Sequence, residues 1–392
     1  FTHINGLPHS RIAHILSDGS VDPKLNPLTV GKIYSLAYDP HKNILYAGGA
    51  FGACDGVFDE EEGTCDGEIA MGIAAFNIST GKLADFPVLV DDLVTSLALS
   101  SDGSVLYVGG VFSSINESDV FGLGAINTSD GSLVEGVDFN GEYEDRLFPM
   151  ALALSSNGIL YVGNHYQAQF GLGGGLDALF AFDTSDGSQI DFDPNVDGGI
   201  YALALSPDEQ RLYIGGSFIH VGEKERFQFA EINIATGQAT DLDAHIVGEI
   251  DTVYAIGLST DGETIYIGDD GSFTEVGGKS RRYFAEIDAV TGLATDFNPN
   301  LGDNVYAIAV SDGKLLVGGA FSGEGESVSR QGIVAIDLST YELTDFEPEE
   351  APYYVSSLAL SPDNSVLYIS DTYELIGVST ETGIENGFEV YT

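Results

Sequence analysis

The chain has no tryptophan, two cysteines and two methionines in 392 residues. Two cysteines exclude a disulfide-dense scaffold and a four-thiolate zinc site. Basic residues are scarce as well: 14 Lys and Arg stand against 61 Asp and Glu, a formal charge of −47. Such a field repels nucleic-acid phosphates and anionic lipid surfaces, so no nucleic-acid partner is expected. It also repels itself, which points to surroundings where salt or divalent cations screen it. No run approaches the ~18 apolar residues of a membrane-spanning helix, and no signal peptide is visible at Phe1. Proline is low at 12, glycine is 50 and aromatics make up 10%, which excludes collagen and disordered low-complexity chains.

What is present is a repeat. The phrases YSLAYDP, TSLALSS, MALALSS, YALALSP, YAIGLST, YAIAVSD and SSLALSP centre on Leu36, Leu97, Leu152, Leu203, Ile256, Ile308 and Leu358, at spacings of 61, 55, 51, 53, 52 and 50. A period near fifty with several short apolar runs per unit predicts the blades of a β-propeller and excludes helical solenoids. In the unit GIYALALSPDEQRLYIGGSFIHVGEKERFQFAEINIATGQATDLDA, β-branched and aromatic runs alternate with Ser-Pro-Asp, Gly-Gly and Thr-Gly punctuation. The first run is apolar on both faces and predicts a strand buried between neighbouring sheets, nearest the axis. The second ends in paired glycines that permit a bulge or a close backbone approach. The fourth is polar and suits an outer edge.

The predicted fold is therefore all-β, with seven four-stranded blades at approximately 30–90, 91–146, 147–196, 197–249, 250–301, 302–350 and 351–392. Residues 1–29 supply a third and fourth strand without a first and second, an amino-terminal half blade. An eight-bladed ring completed by another segment or chain is the alternative. Because Phe1 falls inside a repeat, the chain is expected to be an excised or processed part of something longer. An unpaired half blade has exposed edges and seeks a partner by strand addition, and head-to-tail exchange would give a homo-oligomer or filament.

The segment FTHINGLPHSRIAHILSDGSVDPKLNP resembles the bacterial delta-sixty repeat, with its Phe-Thr-x-x-Asn-Gly, Arg-Ile-Ala and Asp-Gly-Ser-x-Asp elements. The Tyr-Ala-Leu-Ala-Leu-Ser-Pro phrasing elsewhere is similar to surface-layer propeller repeats. The resemblance covers nearly the whole chain and implies a secreted or cell-surface protein, and it carries no catalytic residues across. The insertion around Cys54 and Cys65, the loop 136–148 and GLGGGLDALF depart from the repeat.

Candidate sites are few. Cys54 and Cys65 bracket a short acidic loop and predict a disulfide, hence an oxidising compartment. Within that loop Asp55, Asp59, Glu60, Glu61, Glu62 and Asp66 offer oxygen ligands, for which calcium is the expected cation. Asp269 and Asp270 form a second, smaller acidic pair. Sequons at Asn77, Asn116 and Asn127 predict glycosylation; Asn116, in a connecting loop, is the best placed of them by sequence. His165 stands where the repeat otherwise continues past its paired glycines, although the seven histidines show no metal spacing. No nucleophile elbow or phosphate loop is found, so no catalytic residue is assigned and no enzyme is expected.

The function expected is a non-catalytic, extracellular or surface-exposed structural and interaction module. A calcium-dependent or glycan-binding lectin is the second reading, with its odds lowered by the absence of Trp, and a carbohydrate-active enzyme is the third. A binding module repeats similar ligand-facing residues across several blades, whereas an enzyme gathers unlike polar residues from different loops at one end of the axis.

Overall fold

A computed structural model describes residues 3–4, 7–8, 12–15, 21–22, 28–54, 58–59, 64–65, 69–80, 82–139, 147–165, 178–249, 252–271, 273–311, 313–321, 330–346, 353–361, 364, 366–371, 374–380 and 385–391. For residues before 32, and for 53–69, 371–377, 379 and 385–391, the description covers the backbone alone. The described residues are all-β, without a helix, and form many small antiparallel sheets. They divide into two compact units, Gly136–Glu342 and Phe1–Glu135 with Leu343–Thr392.

In the unit Gly136–Glu342 each repeat phrase opens its own sheet, with inner strands Pro149–Leu154, Ile200–Leu205, Val253–Leu258 and Val305–Ser311. The middle strands are Ile159–Asn164, Arg211–Gly216, Thr264–Asp269 and Lys314–Gly319. Third strands follow at Leu179–Asp183, Phe229–Asn233, Phe284–Asp288 and Ile333–Asp337. A fourth strand is brief: two residues at Gln238–Ala239, and single bridges at Phe182–Gln189 and Ile287–Ala294. Turn and cap residues take over so early that little ladder remains.

Paired glycines set how closely these sheets stack. A Cβ on the first glycine would lie 2.6 Å from Ile200 at Gly163, 2.6 Å from Val253 at Gly215 and 2.4 Å from Val305 at Gly268. The β-branched residue opening the next inner strand therefore seats directly on glycine backbone. A Cβ on the second glycine would lie 2.0 Å from the Gly199 carbonyl at Gly216 and 1.9 Å from the Asn304 carbonyl at Gly319. There the chain entering the inner strand crosses the end of the middle strand. Behind this seam the middle-strand tyrosines fill the core: Tyr161 meets Phe192 edge-on at 5.4 Å, and Tyr213 and Tyr266 stack on Phe229 and Phe284 at 6.2 Å.

Two sheets of this unit carry a buried glutamate where the others have alanine, Glu231 and Glu286 against Ala181 and Ala335. Glu231 lies 3.8 Å from Arg211. Glu286 accepts the Thr295 hydroxyl at 2.6 Å and, more weakly, the Tyr341 hydroxyl at 3.4 Å, which ties it to the turn after the next sheet's third strand. Nearby Arg281 donates to the carbonyls of Ser280, Thr295 and Phe297. Burial pushes the Glu286 carboxyl above its ordinary range, and the hydrogen bonds with the Arg281 charge only partly oppose this.

In the other unit the inner strands are Leu28–Asp39, Val94–Leu99 and Val355–Leu360. The first and last repeats are direct neighbours: Ser356 Oγ donates to the Ile33 carbonyl at 2.8 Å, and Tyr368 packs into a core with Ile33, Leu45 and Phe76. On the other side of the first sheet, Leu97 N donates to Ser35 Oγ at 2.9 Å, and Gly48 meets Val94 as the glycines above meet their neighbours. The last sheet has six strands. Beyond Glu385–Tyr391 it continues with Ile12–Ile15, paired antiparallel with Ile12 opposite Val390, and then Val21–Asp22. The backbone of the sequence-predicted half blade thus lies on the edge of the chain's own last sheet.

Small hairpins absent from the four-strand reading sit between middle and third strands, at Ser114–Ile115 with Ser118–Asp119 and at His220–Val221 with Lys224–Glu225. The turns between inner and middle strands share one device: Ser100, Ser206 and Ser259 donate to Asp102, Asp208 and Asp261 at 2.7, 2.5 and 2.6 Å. The bonds from Ser104 and Ser100 hold Asp102 down at about 2. In the first repeat Asp39 takes the serine's place, fully buried, accepting His41 N and Lys42 N, with Lys42 Nζ at 3.9 Å.

Two outcomes follow from this packing. Gly216→Ala drives a methyl group into the Gly199 carbonyl and is expected to cost ~1–3 kcal/mol in denaturant unfolding, whereas Gly52→Ala, with its nearest neighbour 3.9 Å away, leaves the midpoint unchanged. The raised Glu286 carboxyl favours the folded state at acid pH and loses that contribution as pH rises through its folded value. Glu286→Gln keeps an acceptor for Thr295, so the variant should exceed the parent at neutral pH and lose the advantage as pH falls through the ordinary carboxylate range, read as unfolding midpoint against pH.

Candidate functional site

Each inner strand contains one residue that its partner strand skips. The register breaks between Ile33 and Ser35, Val94 and Ser96, Pro149 and Ala151, Ile200 and Ala202, Val253 and Ala255, Val305 and Ala307, and Val355 and Ser357. A β-bulge of this kind leaves the extra residue outside the ladder and re-aims its side chain. At Gly49, Gly110, Gly216 and Gly319 the second glycine leaves room for a carbonyl of the chain entering the bulged strand, whereas the same bulge also forms opposite Asn164, Asp269 and Asp371.

In the unit Gly136–Glu342 three of the four bulged residues are tyrosines, Tyr201, Tyr254 and Tyr306, each half-buried. They form a herringbone row. His165 meets Tyr201 at 5.7 Å and 73°, Tyr201 meets Tyr254 at 5.6 Å and 65°, and Tyr254 meets Tyr306 at 5.6 Å and 68°. Edge-to-face contacts of this geometry are each worth ~0.5–1.5 kcal/mol beyond area burial. The positive edge of one ring faces the π cloud of the next, and the repeat places all three rings in register.

Polar groups border the row. His165 Nδ1 and the Tyr201 hydroxyl share a hydrogen bond of 2.7 Å, in which the phenol donates when Nδ1 carries no proton and the imidazole donates when it does. Burial raises the Tyr201 phenol, and a bond with Ser217 partly offsets it, so the phenol keeps its proton across neutral pH. At the far end the Asn304 amide nitrogen faces Asp303 Oδ1 at 3.0 Å and the Asp270 carbonyl at 2.9 Å, which leaves its oxygen to accept from the Tyr306 hydroxyl at 2.6 Å. His165, Ser217 and Asp270 hold one position in three successive repeats, the residue after the Gly-Gly pair or its replacement. Asn164 and Asp269 replace the second glycine: Asn164 Oδ1 accepts Phe148 N at 2.6 Å and Asp269 Oδ2 accepts Phe273 N at 3.0 Å.

Of the residues singled out by sequence, the structure brings His165 into this row. Asp269 and Asp270 lie beside it, and Asp270 Oδ1 also accepts Thr252 N at 3.4 Å. The backbone of Cys54 ends the strand Ile44–Cys54, that of Cys65 belongs to Thr64–Cys65, and that of Asp59 pairs with Thr64. The side chains of these three, and Asp55, Glu60, Glu61, Glu62 and Asp66 altogether, lie outside the described residues. Among the described residues no three His, Cys, Asp or Glu side chains are grouped to hold a metal. Asn77, Asn116 and Asn127 are all described and belong to the other unit. The tyrosines were the residues missed, although the first letter shared by YALAL, YAIGL and YAIAV was their signal.

Comparison with known proteins bears on the architecture. Residues 311–334 match a family model described as a domain of unknown function (DUF5122) beta-propeller. Solved structures match in number, 1287 chains, so the likeness carries architecture and not activity. One of them is the crystal structure of the computationally designed Ika8 protein in its P63 crystal packing. It is 17% identical with a TM-score of 0.55, covering 91% of this chain and 86% of that one. No curated protein matches the chain. The repeated sheets, their stacking and these likenesses give the chain a β-propeller fold built from sequence repeats.

Proposed function

We propose that the chain is a non-catalytic interaction module of an extracellular or cell-surface protein, and that the bulge-borne row His165, Tyr201, Tyr254 and Tyr306 is its recognition surface. The repetition carries this reading: three successive repeats offer the same ring at the same backbone position. Repeated, similar side chains suit one extended or repetitive partner. The unlike groups on the border, His165, Ser217, Asp270 and Asn304, give direction to what lies on the rings. The formal charge of −47 sets the class of partner, since an anion pays to approach and an uncharged or cationic group does not. Within that class an uncharged glycan is the second reading, because hydroxyl, amide and imidazole groups beside half-exposed rings are the chemistry that holds a polyol.

Self-assembly is a separate proposal. It rests on the pairing of Ile12–Ile15 with Glu385–Tyr391, an edge-to-edge contact that a second copy can exchange. The disulfide of Cys54 with Cys65 and calcium in the loop between them also belong to the extracellular reading.

Two measurements test these readings. The chain is screened on an array of neutral and acidic glycans and against oligoarginine and oligoglutamate peptides at ~0.15 M salt. Binders should come from the neutral or cationic sets, with Tyr254→Ala weakening them ~10-fold and Tyr254→Phe restoring most of the loss. Binding indifferent to Tyr254→Ala removes the row from the recognition surface. For self-assembly, molar mass by light scattering should rise with concentration in the full chain and fall to the monomer value when residues 1–22 are deleted. A monomer at every concentration rejects exchange.

A further inference from the structure

We infer that of the three sequons only Asn77 is built to carry an N-linked glycan in the folded chain. Asn116 is the worst placed, the reverse of the order that loop position suggests. The inference rests on the extracellular reading above only for the supply of the sugar.

The distinction lies in the side-chain amides. Asn116 is the first residue of a two-residue turn with positive φ at both positions, 50° at Asn116 and 63° at Glu117. Its side chain clamps two other segments: Oδ1 accepts Leu89 N at 2.8 Å and Nδ2 donates to the Gly131 carbonyl at 2.9 Å, while its backbone N donates to the Leu89 carbonyl at 2.9 Å. The Gly131 segment is itself pressed on Val88 and Pro87, with 2.9 Å between an added Cβ and Val88. A sugar on Asn116 Nδ2 has to stand where these segments meet. Asn127 Nδ2 donates to Ser132 Oγ at 3.0 Å and to the Leu133 carbonyl at 3.4 Å, so both of its amide hydrogens are engaged.

Asn77 uses only its oxygen. Oδ1 accepts Thr80 N at 3.1 Å and Thr80 Oγ1 at 3.2 Å, closing the turn after the third strand, and among the described residues no acceptor faces Nδ2. The turn keeps its bonds when Nδ2 is substituted, because the acceptor and the substituted atom are different. The transfer balances simply: a lipid-linked pyrophosphoryl oligosaccharide supplies the sugar, the bond from its anomeric carbon to the phosphate oxygen breaks, a bond to Asn77 Nδ2 forms, and the amide loses one proton. The lipid pyrophosphate is the leaving group.

The test leaves every asparagine in place and removes the sequons at their serines, by Ser79→Ala, Ser118→Ala and Ser129→Ala, in the full chain secreted from a eukaryotic cell. Intact mass and peptide mapping before and after glycosidase should place a glycan on Asn77, lost in Ser79→Ala and unchanged in the Ser118→Ala/Ser129→Ala double variant. A glycan on Asn116 or Asn127 in folded, secreted chain, or secreted chain bare at Asn77, overturns the inference. Failure to secrete would count against the extracellular reading instead. In that case side-chain amide hydrogen exchange on the full chain decides: Asn77 should exchange fast and Asn116 and Asn127 slowly, and protection of the Asn77 amide rejects the inference.

Discussion

A missing Cβ controls this molecule. At Gly215 and Gly216, where a middle strand ends, the next sheet's Val253 and the chain's own entering Gly199 carbonyl occupy space that a side chain would claim, and similar close approaches recur at Gly268 with Val305 and at Gly319 with the Asn304 carbonyl, while Asn164 and Asp269 carry side chains at the second position. Seating one sheet on another at this spacing brings the inner strands near enough for their side chains to interact across the sheets. The inner strand bulges as it enters, and the bulge turns one residue per repeat out of the ladder. The aromatic row is thus a consequence of packing before it is a recognition surface. It costs the fold little to keep, since the rings stabilise one another edge to face, and its chemistry can vary because no ladder hydrogen bond depends on which residue is bulged. Thr95, Met150 and Ser356 occupy the same position as Tyr201.

The charge of −47 is distributed in a way that limits its cost. Many of the described carboxylates are committed to their own turns: Asp102, Asp130, Asp186, Asp208, Asp261, Asp288 and Asp337 all accept local serine, threonine or backbone hydrogen bonds and are held below the ordinary carboxylate range. Groups lowered in this way favour the fold above the ordinary carboxylate pKa and lose that contribution as pH falls through their folded values. Glu286 acts in the opposite sense. Acid therefore releases the turns while it relieves the buried glutamate, and because the turns are many, the balance lies with loss of stability at low pH. Their mutual repulsion is long-ranged and screened by salt, while the turn bonds are short-ranged and are not.

The repeat made much of the fold legible. Alternation in GIYALAL, the Gly-Gly after RLYI and the Ser-Pro-Asp turn each have a single mechanical reading, and the inner, middle and third strands fall where those signals put them. The fourth strand was read too long, because ATDLDA alternates like an edge strand while its threonine and aspartate bond the adjacent turns and carbonyls. Thr240, for instance, gives its carbonyl to Arg226 and Lys224. Hairpins as small as His220–Val221 with Lys224–Glu225 have too few residues to show a period. The paired glycines permitted a bulge by sequence, but the extra residue lies in the inner strand opposite them, where every position is apolar and Tyr201 reads as one more member of a buried strand. His165 could be flagged as a departure from the repeat, but its partner, in another sheet, could not.

The same distinction separates the residues that hold the fold from those free to act. A residue that recurs because a neighbour's atoms require it, such as the second glycine, the turn aspartate or the middle-strand tyrosine, has its chemistry spent within the fold. Asn116 belongs with these despite its loop position, since the amide that marks it as a modification signal is the clamp between two segments. Positions after the glycines behave otherwise. Ala50, Val111, His165, Ser217, Asp270 and Ala320 share one backbone setting and almost no chemistry. Backbone geometry there asks only for a residue, so composition can follow a partner's demands. In a repeat protein that contrast, constant backbone under varying side chains beside the rings of Tyr201, Tyr254 and Tyr306, is the arrangement in which recognition can be tuned one repeat at a time without disturbing the stack beneath it.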